Sequence, residues 1–393
     1  MTLELASNTF DGAELRAAMQ VLESGMFTMG AKTMEFERRF AERIGHGLQG
    51  VMVNSGSSAN LLLIAGLVQI GDLKPGRTVF APALTWPTTI TPLLQYGMKV
   101  VLVDCDPVTL QMDANQLRRA VVEHGDGQAV FCAHIMGNAC DMDPIQHICD
   151  QRGLLLIEDC CEALGTEYKG KTVGNHGSGA TFSFFFSHHI STMEGGMVVT
   201  GNSALAEAMR SLRAHGWIRD ASAETKAVLA QRYPELDQRF LFTGLGYNLR
   251  PTDIQAAIGL EQLKKLGGFL ESRAAVERSM RQIVNEHLWL CAISPTAGSK
   301  PAWFAFPVLL DGERRALSSS LEESGIQTRP IVGGNLAEHP AFQGKVVSYN
   351  GTPQASYVQR HGLYWGLHPN VTHLQLRDLE AALNKYAAER RAT

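Results

Sequence analysis

Seven short apolar runs, separated by helix-like stretches, dominate the chain between about residues 50 and 200. Runs of this length and composition are typical of strands buried on both faces, and helices between them favour parallel pairing. The pattern therefore predicts an α/β fold in which a mostly parallel, seven-stranded sheet is flanked by helices. The predicted strands lie at 51–53, 77–80, 99–103, 129–132, 154–157, 181–184 and 197–200, and two of the helices at 59–68 and 143–152.

The last third of the chain follows a different pattern. Residues 252–287 are rich in helical signal, and beyond them strand-like segments at 303–310 and 327–331 alternate with helical ones at 314–324 and 374–390. We expect a large domain of residues 1–255, including the N-terminal segment. Residues 256–393 would supply connecting helices and a small α+β domain.

Composition excludes several classes of function. The chain has 393 residues, of which 45% are hydrophobic and 19% charged, with a formal net charge of −4. Nucleic-acid binding needs a basic face, and a membrane role needs a basic run or a long uncharged apolar stretch. The N-terminus lacks the basic and apolar regions of a signal peptide, and the seven cysteines form no CxxC pair. We expect a cytoplasmic protein with reduced thiols, no metal site, and no nucleic-acid or membrane partner.

A turn of small residues follows the first predicted strand. Gly56, Ser57 and Ser58 stand between that strand and an apolar helix. Free backbone N–H groups and the positive end of the helix dipole at such a turn bind anions, and the serine hydroxyls can donate as well. A serine that only caps a core helix has the same sequence signature, so the anion site depends on support from the other segments.

Two carboxylates follow the fifth predicted strand. Asp159 ends the apolar run, and Glu162 lies three residues further on. Open α/β sheets bind their ligands at the carboxyl ends of the strands, which is where both acids fall. The alternative is that they are acids in the first turn of a helix, where the helix dipole favours them.

Further candidates could contact a flat or anionic ligand. Trp86 follows the second predicted strand and could stack on a planar ring, although a tryptophan packed in the core has the same signal. Asn248 and Arg250 precede the helix that starts near residue 252 and could bind a carboxylate or a phosphate. The remaining candidates for anion binding are His215, Arg219 and Arg329. Ordinary surface ion pairs are the alternative for these side chains.

Residues 181–196 contain a histidine that could act as a base. Ser183 lies five residues before His188, and Gly195 and Gly196 close the segment with residues that permit a tight turn. Imidazole is a good general base near neutral pH. A lone histidine is more often structural than catalytic, and we interpret the adjacent His189 as structural or as a support for its neighbour.

Together these segments resemble the sugar aminotransferases that use pyridoxal 5'-phosphate (PLP), a family of fold-type I enzymes, over nearly the whole chain. The likeness is most specific at 187–196, Ser-His-His-Ile-Ser-Thr-Met-Glu-Gly-Gly, where this chain has His188 and the family has lysine. The resemblance implies PLP and pyridoxamine 5'-phosphate (PMP) as cofactor forms and a homodimer with two shared active sites. The other matching segments are 23–30, 54–62, 213–217, 246–251, 258–266 and 329–332.

The resemblance implies roles by position. His188 would be the base, without the covalent link that a lysine amine forms with the cofactor. Asp159 would keep the pyridine nitrogen protonated, and Glu162 would contact the phenolic oxygen. The remaining implied roles are ring stacking for Trp86, phosphate binding for Gly56, Ser57, Ser58 and Ser183, contacts from the neighbouring subunit for Asn248 and Arg250, and substrate or glutamate binding for Arg250, His215, Arg219 and Arg329. Lys169 and Lys171 lie in a surface turn and are not expected to replace the missing lysine.

The exchange of lysine for histidine implies a reaction other than transamination of the substrate. The resemblance points to a nucleotide-sugar 3-dehydratase of deoxysugar and lipopolysaccharide biosynthesis. Such an enzyme uses L-glutamate as amino donor, removes the 3-hydroxyl of a nucleotide-linked 4-keto-6-deoxyhexose, and releases 2-oxoglutarate and ammonia. A GDP-linked, mannose-derived sugar is implied by the resemblance alone.

Three alternatives stay open at this point. One is an ordinary nucleotide-sugar aminotransferase, and another is a non-catalytic regulatory protein with a PLP-enzyme fold. The third is a reductive 3-dehydrase that works with an iron–sulfur reductase and carries cluster cysteines in its C-terminal half. Only Cys291 follows Cys161 in this chain, so the sequence lacks such a ligand set.

Overall fold

Strands and helices alternate through residues 2–392, the part of the chain that the computed structural model describes. The helices are α1 Gly12–Ser24, α2 Ala31–Ile44, α3 Gly56–Gln69, α4 Pro87–Gln95, α5 Ala114–Glu123, α6 Met142–Arg152, α7 Ser203–Arg213, α8 Ala223–Arg232, α9 Asp253–Asn285, α10 Arg314–Glu323, α11 Pro353–His361 and α12 His373–Ala392. The strands are β1 Gln49–Val53, β2 Thr78–Pro82, β3 Lys99–Val103, β4 Gly127–Ala133, β5 Leu155–Asp159, β6 Glu167–Tyr168, β7 Lys171–Thr172, β8 Gly179–Ser183, β9 Gly196–Thr200, β10 Leu290–Ala292, β11 Ser299–Lys300, β12 Phe306–Leu310, β13 Thr328–Pro330, β14 Val346–Ser348 and β15 Gly362–Trp365.

The large sheet contains all seven predicted strands and one more. Its order is β1-β9-β8-β5-β4-β2-β3-β14, and β9 is the one strand that runs antiparallel to its neighbours. The prediction of a mostly parallel sheet is therefore confirmed. The eighth strand, β14, comes from the C-terminal part of the chain and pairs with β3 at the edge.

The apolar runs form strands because both faces of this sheet are covered. Along β3, Val100 and Leu102 join one hydrophobic cluster, whereas Val101 and Val103 join the other. Successive side chains of a strand point to opposite faces, so a strand covered on both sides needs apolar residues at every position. The helices over the two faces supply the opposing surfaces.

A long helix leads to a smaller, antiparallel sheet. Thr252 caps the 33-residue α9 by accepting a bond from the N–H of Gln255, whose side chain bonds the Thr252 N–H in return. The sheet that follows has the order β10-β12-β15-β13. The strands and helices predicted after residue 300 are present within two or three residues of their expected ends. The proposed division at residues 255 and 256, which falls inside α9, stays a prediction.

None of the described helices is both long enough and apolar enough to span a membrane.

A buried ion pair ties α2 and α7 to β1. Arg213 Nη1 lies 2.6 Å from Glu37 Oε1 and 2.6 Å from the Met52 carbonyl oxygen, while the Met52 N–H donates to the same Glu37 oxygen at 2.8 Å. The arginine is 4% and the glutamate 8% exposed. Removing one partner of such a pair leaves an unpaired charge in the interior, which costs more than the pair contributes.

We predict that Arg213→Met lowers the free energy of unfolding by about 3–5 kcal/mol, because Glu37 then keeps its charge in a buried site. Urea titration of the purified protein measures this change. The matched control is Arg38→Met, which breaks the exposed pair with Glu42 and should cost less than about 1 kcal/mol. Equal losses for the two variants would contradict the importance of the buried pair.

Candidate active site

A cavity of about 980 Å³ opens at the carboxyl ends of β1, β2, β4, β5 and β8. These strands point the same way, so the residues that follow each of them meet at one edge of the sheet. The structure brings eight of the predicted site residues to this cavity, namely Gly56, Ser57, Trp86, Asp159, Glu162, Ser183, His188 and Arg329. Four predicted binding residues of the segment 215–250 and Ser58 are not among the residues that line it.

One end of the cavity is formed by the N-terminus of α3. Ser55 caps this helix by accepting the N–H of Ser58, and its hydroxyl also bonds the Ser58 hydroxyl at 3.0 Å. Gly56 packs so tightly that an added Cβ would lie 2.6 Å from Ser183 Cβ. The Ser57 hydroxyl donates to Thr88 at 3.0 Å. The free N–H groups and positive dipole of the helix therefore face a pocket rimmed by hydroxyls, which suits a phosphate.

Gly196 meets a spatial requirement at the same end. Neither it nor Gly195 has a positive φ, so the expected tight turn is not the reason for glycine here. A Cβ on Gly196 would lie 2.3 Å from the Ser55 carbonyl oxygen, and one on Gly195 would lie 2.2 Å from Thr192 Oγ1. Close approach of the chain, rather than a left-handed backbone, requires these two glycines.

Asp159 is held rigidly beneath the cavity. Its Oδ2 accepts bonds from Asn60 Nδ2 at 2.9 Å and Thr89 Oγ1 at 2.8 Å, and its Oδ1 accepts the Cys161 N–H at 3.1 Å. The carboxylate is 7% exposed. β5 is followed by turns and not by a helix, so the alternative of acids in a first helical turn is wrong. The three donors fix the orientation of a buried charge that faces the ligand space.

Glu162 has an unusual proton affinity. Burial raises the pKa of its carboxyl to about 7, and the nearby Asp159 carboxylate adds to the rise while the bond from the Met136 N–H opposes it. That bond joins Met136 N to Glu162 Oε2 at 2.8 Å. The carboxyl can therefore be protonated at neutral pH and donate a hydrogen bond to an oxygen in the cavity.

His188 lines the cavity with a neutral imidazole. Burial, together with the positive charge of Arg273, lowers its pKa to about 3. The rings of Phe304 and Phe185 lie against it at centroid distances of 5.0 and 6.0 Å. A neutral imidazole at physiological pH has a free electron pair and can accept a proton.

No lysine belongs to the cavity lining among residues 2–392. Lys169 lies in the turn between β6 and β7, where its ammonium pairs with Asp143. Lys171 is exposed at the start of β7. The prediction that neither replaces the lysine of the family agrees with these positions.

The segment 214–250 carries the predicted residues that lie outside the cavity of a single chain. His215 is exposed with φ of 68°, and Arg219 pairs with Asp220 at 3.0 Å. Arg250 Nε donates to Asn248 Oδ1 at 2.9 Å. The assigned binding roles of these side chains stay predictions, and for Asn248 and Arg250 they require a second subunit.

A buried cluster of His134, Glu158 and Cys160 lies at the carboxyl ends of β4 and β5, with ligand-type atoms within 4.8 Å of one another. Glu158 already accepts three backbone N–H groups and contacts His134 Nε2 at 3.2 Å. The other His134 nitrogen accepts the Cys140 N–H at 3.0 Å. We interpret this cluster as a structural hydrogen-bond network, since its polar atoms already have partners.

Comparison with known proteins identifies the family. Residues 8–384 match the model of the DegT/DnrJ/EryC1/StrS aminotransferase family. The chain belongs to this family. Its α/β sheet flanked by helices matches the fold-type I architecture that the sequence predicts.

Relatives within the DegT/DnrJ/EryC1/StrS family resemble the chain over its whole length. It is 37% identical over 390 residues to the GDP-4-keto-6-deoxy-D-mannose 3-dehydratase of Yersinia pseudotuberculosis, covering 97% of this chain and 98% of that protein. The structure of the Escherichia coli GDP-4-keto-6-deoxy-D-mannose 3-dehydratase with bound hydrated PLP is similar, with a TM-score of 0.90, 34% identity, and coverage of 98% and 100% of the two chains. A structure of a GDP-4-keto-6-deoxymannose 3-dehydratase with a trapped PLP–glutamate geminal diamine is also similar. Its TM-score is 0.89 and its sequence identity 34%, with coverage of 96% of this chain and 99% of that one.

Several side chains of the site escaped the sequence argument. Asn60 and Thr89 donate hydrogen bonds to Asp159. Asn60 lies four residues after Gly56, and Thr89 lies three residues after Trp86. Because residues with these spacings share one face of a helix, the sequence could have identified both. Phe304 reaches the cavity from a part of the chain that the sequence describes only as strand-like. No local pattern indicates that contact.

We predict that Glu162→Gln makes the empty protein more stable at pH 8, on the order of 2 kcal/mol. The carboxyl binds its proton near pH 7 when folded but at its ordinary pKa of 4.5 when unfolded. The contribution of the Glu162 side chain to the free energy of unfolding is therefore fully present below pH 4.5, and it is lost as the pH rises through about 7. The amide keeps an oxygen for the Met136 N–H and has no charge to desolvate.

Urea titrations at pH 4.5 and 8 measure this effect. The gain for Glu162→Gln should be present at pH 8 and nearly absent at pH 4.5. Glu42→Gln, at an exposed position, serves as the control and should show no such difference. The raised pKa would be contradicted if the difference in free energy of unfolding between the wild type and Glu162→Gln were the same at both pH values.

Proposed function

We propose that this chain is a PLP- and PMP-dependent 3-dehydratase of a nucleotide-linked 4-keto-6-deoxyhexose, with L-glutamate as amino donor and with 2-oxoglutarate and ammonia as products. One observation supports the proposal: His188, which the sequence resemblance places at the position of the family's lysine, lines the cavity, and no lysine lines it among the described residues. An imidazole keeps the proton-transfer role of that lysine and loses its ability to bind the cofactor covalently.

The residues present fit the PLP cofactor. The N-terminus of α3 with Ser57 and Ser183 suits the phosphate, and Asp159 suits a protonated pyridine nitrogen. The cavity of about 980 Å³ leaves room for a second molecule beside the cofactor. When bound, the protonated ring withdraws electrons from the carbon atom that loses a proton.

We assign the proton transfers to His188 Nε2, since Nδ1 is buried. The neutral imidazole accepts a proton from carbon at Nε2. As imidazolium it then donates that proton to the departing 3-hydroxyl, which leaves as water. Glu162, when protonated, donates a hydrogen bond to an oxygen of the cofactor ring. Trp86, which lines the cavity and is 57% exposed, would stack on the cofactor ring and limit the access of water.

A homodimer would complete the site. Asn248 and Arg250 lie outside the cavity of one chain, and the segment 240–245 that leads to them exposes Phe240, Phe242 and Leu245. Exposed apolar groups of this size are typical of a surface that another subunit covers. We assign Arg250 of each subunit to the glutamate carboxylate in the partner's cavity, because a guanidinium binds a carboxylate in a bidentate manner.

The relatives support the choice of substrate. All three are GDP-4-keto-6-deoxymannose 3-dehydratases by name, and one of them was trapped with a PLP–glutamate adduct. We therefore infer that the nucleotide is GDP and the sugar a 4-keto-6-deoxymannose. All seven cysteines are free thiols, which agrees with action in the reducing cytoplasm where nucleotide sugars are made. An amino-sugar product is disfavoured because no lysine amine lines the cavity among residues 2–392 to release it.

The proposal is tested by incubating the protein with PLP, L-glutamate and a panel of GDP-, CDP- and dTDP-linked 4-keto-6-deoxy sugars. Mass spectrometry should detect a 3-deoxy-4-keto sugar, and coupled assays should detect ammonia and 2-oxoglutarate, with the GDP sugar reacting fastest. His188→Asn should bind PLP but lose at least about 100-fold in turnover, since proton transfer contributes that much.

The matched variant His188→Lys restores the family's amine. It should bind PLP covalently, seen as a shifted absorbance and as a modified peptide after borohydride reduction, and it should lose dehydration. Full 3-deoxygenation by either variant, or an amino sugar as the wild-type product, would contradict the proposed function.

Shared active sites predict rescue by mixing two inactive variants. His188→Asn and Arg250→Ala affect different subunits of each site, so a mixed dimer contains one intact site. Equal amounts refolded together should recover about a quarter of the wild-type activity, since half of the dimers are mixed and each has one good site in two. The control is the same mixing of His188→Asn with Asp159→Asn, which lie in one cavity of one chain. Absence of rescue in the first mixture, or equal rescue in both, would contradict the sharing of Arg250.

A further inference from the structure

The proposed base is held differently from His134, which also lines the cavity, and from its neighbour His189. His189 Nε2 contacts the Ala302 carbonyl oxygen at 2.8 Å, and His134 has hydrogen-bond partners at both nitrogens. His188 Nδ1 is buried with no hydrogen-bond partner among residues 2–392. Catalytic imidazoles are ordinarily oriented through the nitrogen that does not transfer the proton. The orientation of His188 therefore depends on packing.

Two aromatic rings supply that packing. Phe304 meets the imidazole at a centroid distance of 5.0 Å and an interplanar angle of 64°, and Phe185 meets it at 6.0 Å and 83°. Phe185 is 44% exposed and belongs to the same loop as the histidine. Phe304 comes from the chain just before β12 and is the independent support.

The backbone around Phe304 is fixed from several sides. The Phe304 N–H donates to the Met136 carbonyl oxygen at 2.9 Å. Arg273 Nη1 donates to the carbonyl oxygens of Phe304 at 3.0 Å and of Trp303 at 3.2 Å, and it also bonds the Leu367 carbonyl. One guanidinium thus joins α9, the segment that carries Phe304, and the chain that follows β15.

Arg273 is a buried cation without a carboxylate partner among the described residues. It is 4% exposed, and burial lowers the pKa of its guanidinium to about 10, so it stays charged at neutral pH. Burying a charge that only carbonyl dipoles stabilise is costly. The same charge opposes protonation of His188. The other ionisable groups at this end of the molecule are His189 in the same loop, His368 after β15, and Glu4, His134, Asp159, Cys161, Glu162, Glu194, Arg329 and Tyr364 around the cavity.

We propose that Arg273 and Phe304 form a positioning unit for His188: the guanidinium fixes the 303–304 backbone, and the phenyl ring holds the imidazole in the orientation that proton transfer requires. The inference rests on the proposed function of His188 as a base. Arg273 does not line the cavity, and Phe304 lines it with an uncharged ring. Their effect is exerted through the position and the protonation of the histidine.

The unit can be tested in the empty protein by nuclear magnetic resonance. Uniform ¹⁵N-histidine labelling gives the ring signals, and His188→Asn identifies those of His188 by their loss. In the wild type the imidazole should stay neutral above pH 5. Arg273→Met should raise the protonation midpoint by about one pH unit or more, because a nearby like charge is removed. Phe304→Ala should raise it as water gains access, and Phe304→Leu, which keeps apolar bulk, should shift it less.

A matched control lies two turns along α9. Arg281 is half-buried and donates to the Ile293 carbonyl oxygen at 2.9 Å, but it does not line the cavity. Arg281→Met removes an arginine–carbonyl bond, the ion pair with Glu277 and a contact with the Trp303 ring, but no bond to the 303–304 backbone. The His188 signals should be unchanged in this variant. If Arg273→Met does not fold, the two Phe304 variants decide the result alone.

Turnover with the GDP sugar gives the second readout. Phe304→Ala should reduce kcat about 10- to 100-fold, as expected for a misplaced reacting group, with the affinity for PLP within about threefold of wild type. Phe304→Leu should restore most of the lost rate. Unchanged His188 titration in both Phe304→Ala and Arg273→Met would overturn the inference, as would equal losses of PLP affinity and kcat. A wild type that dehydrates no sugar would instead overturn the proposed function, while the titration would still decide whether the unit controls His188.

Discussion

The parallel pairing of β8, β5, β4 and β2 is the constraint on which the candidate site depends. The register sets Asp159 beside Thr181 and Ala133 beside Asp159, so the loops that follow these strands begin at one level. The N-terminus of α3 meets the same edge from β1. The side chains assigned to phosphate, ring and base contacts are thus brought together by backbone hydrogen bonds of the sheet, and each of them needs only a short loop to reach its place.

Environment separates the chemistry of side chains that the sequence places close together. Asp159 accepts three hydrogen bonds that fix its orientation, whereas Glu162 accepts one, and burial raises its pKa to about 7. His188 and His189 are adjacent, yet His189 is hydrogen-bonded to a carbonyl oxygen, whereas His188 packs against aromatic rings at the cavity. Burial, hydrogen-bond count and neighbouring charge decide which group holds a charge and which can exchange a proton.

Much of the fold and of the cavity could be predicted because their signals are local. The seven strands are continuous apolar runs, and the residues after them fall at the carboxyl edge by the geometry of parallel sheets. β14 was missed because it has three residues, of which Val347 is 50% exposed, and its partner β3 lies more than two hundred residues earlier. Arg273 and Phe304 were missed for the same reason, since no spacing along the chain encodes contacts between α9, the 303–304 segment and the loop of His188. The binding roles proposed for Asn248 and Arg250 would require a second subunit, which a single sequence describes only through resemblance.

The central claim is that an imidazole occupies the place of the family's lysine and faces the cofactor without binding it covalently. A crystal structure of the protein grown with PLP is the most direct measurement. We expect continuous density for a free cofactor between Trp86 and the sheet edge, no bond from its ring substituent to any lysine, and His188 turned toward that substituent. A lysine side chain joined to the cofactor, or an imidazole directed away from it, would contradict the account.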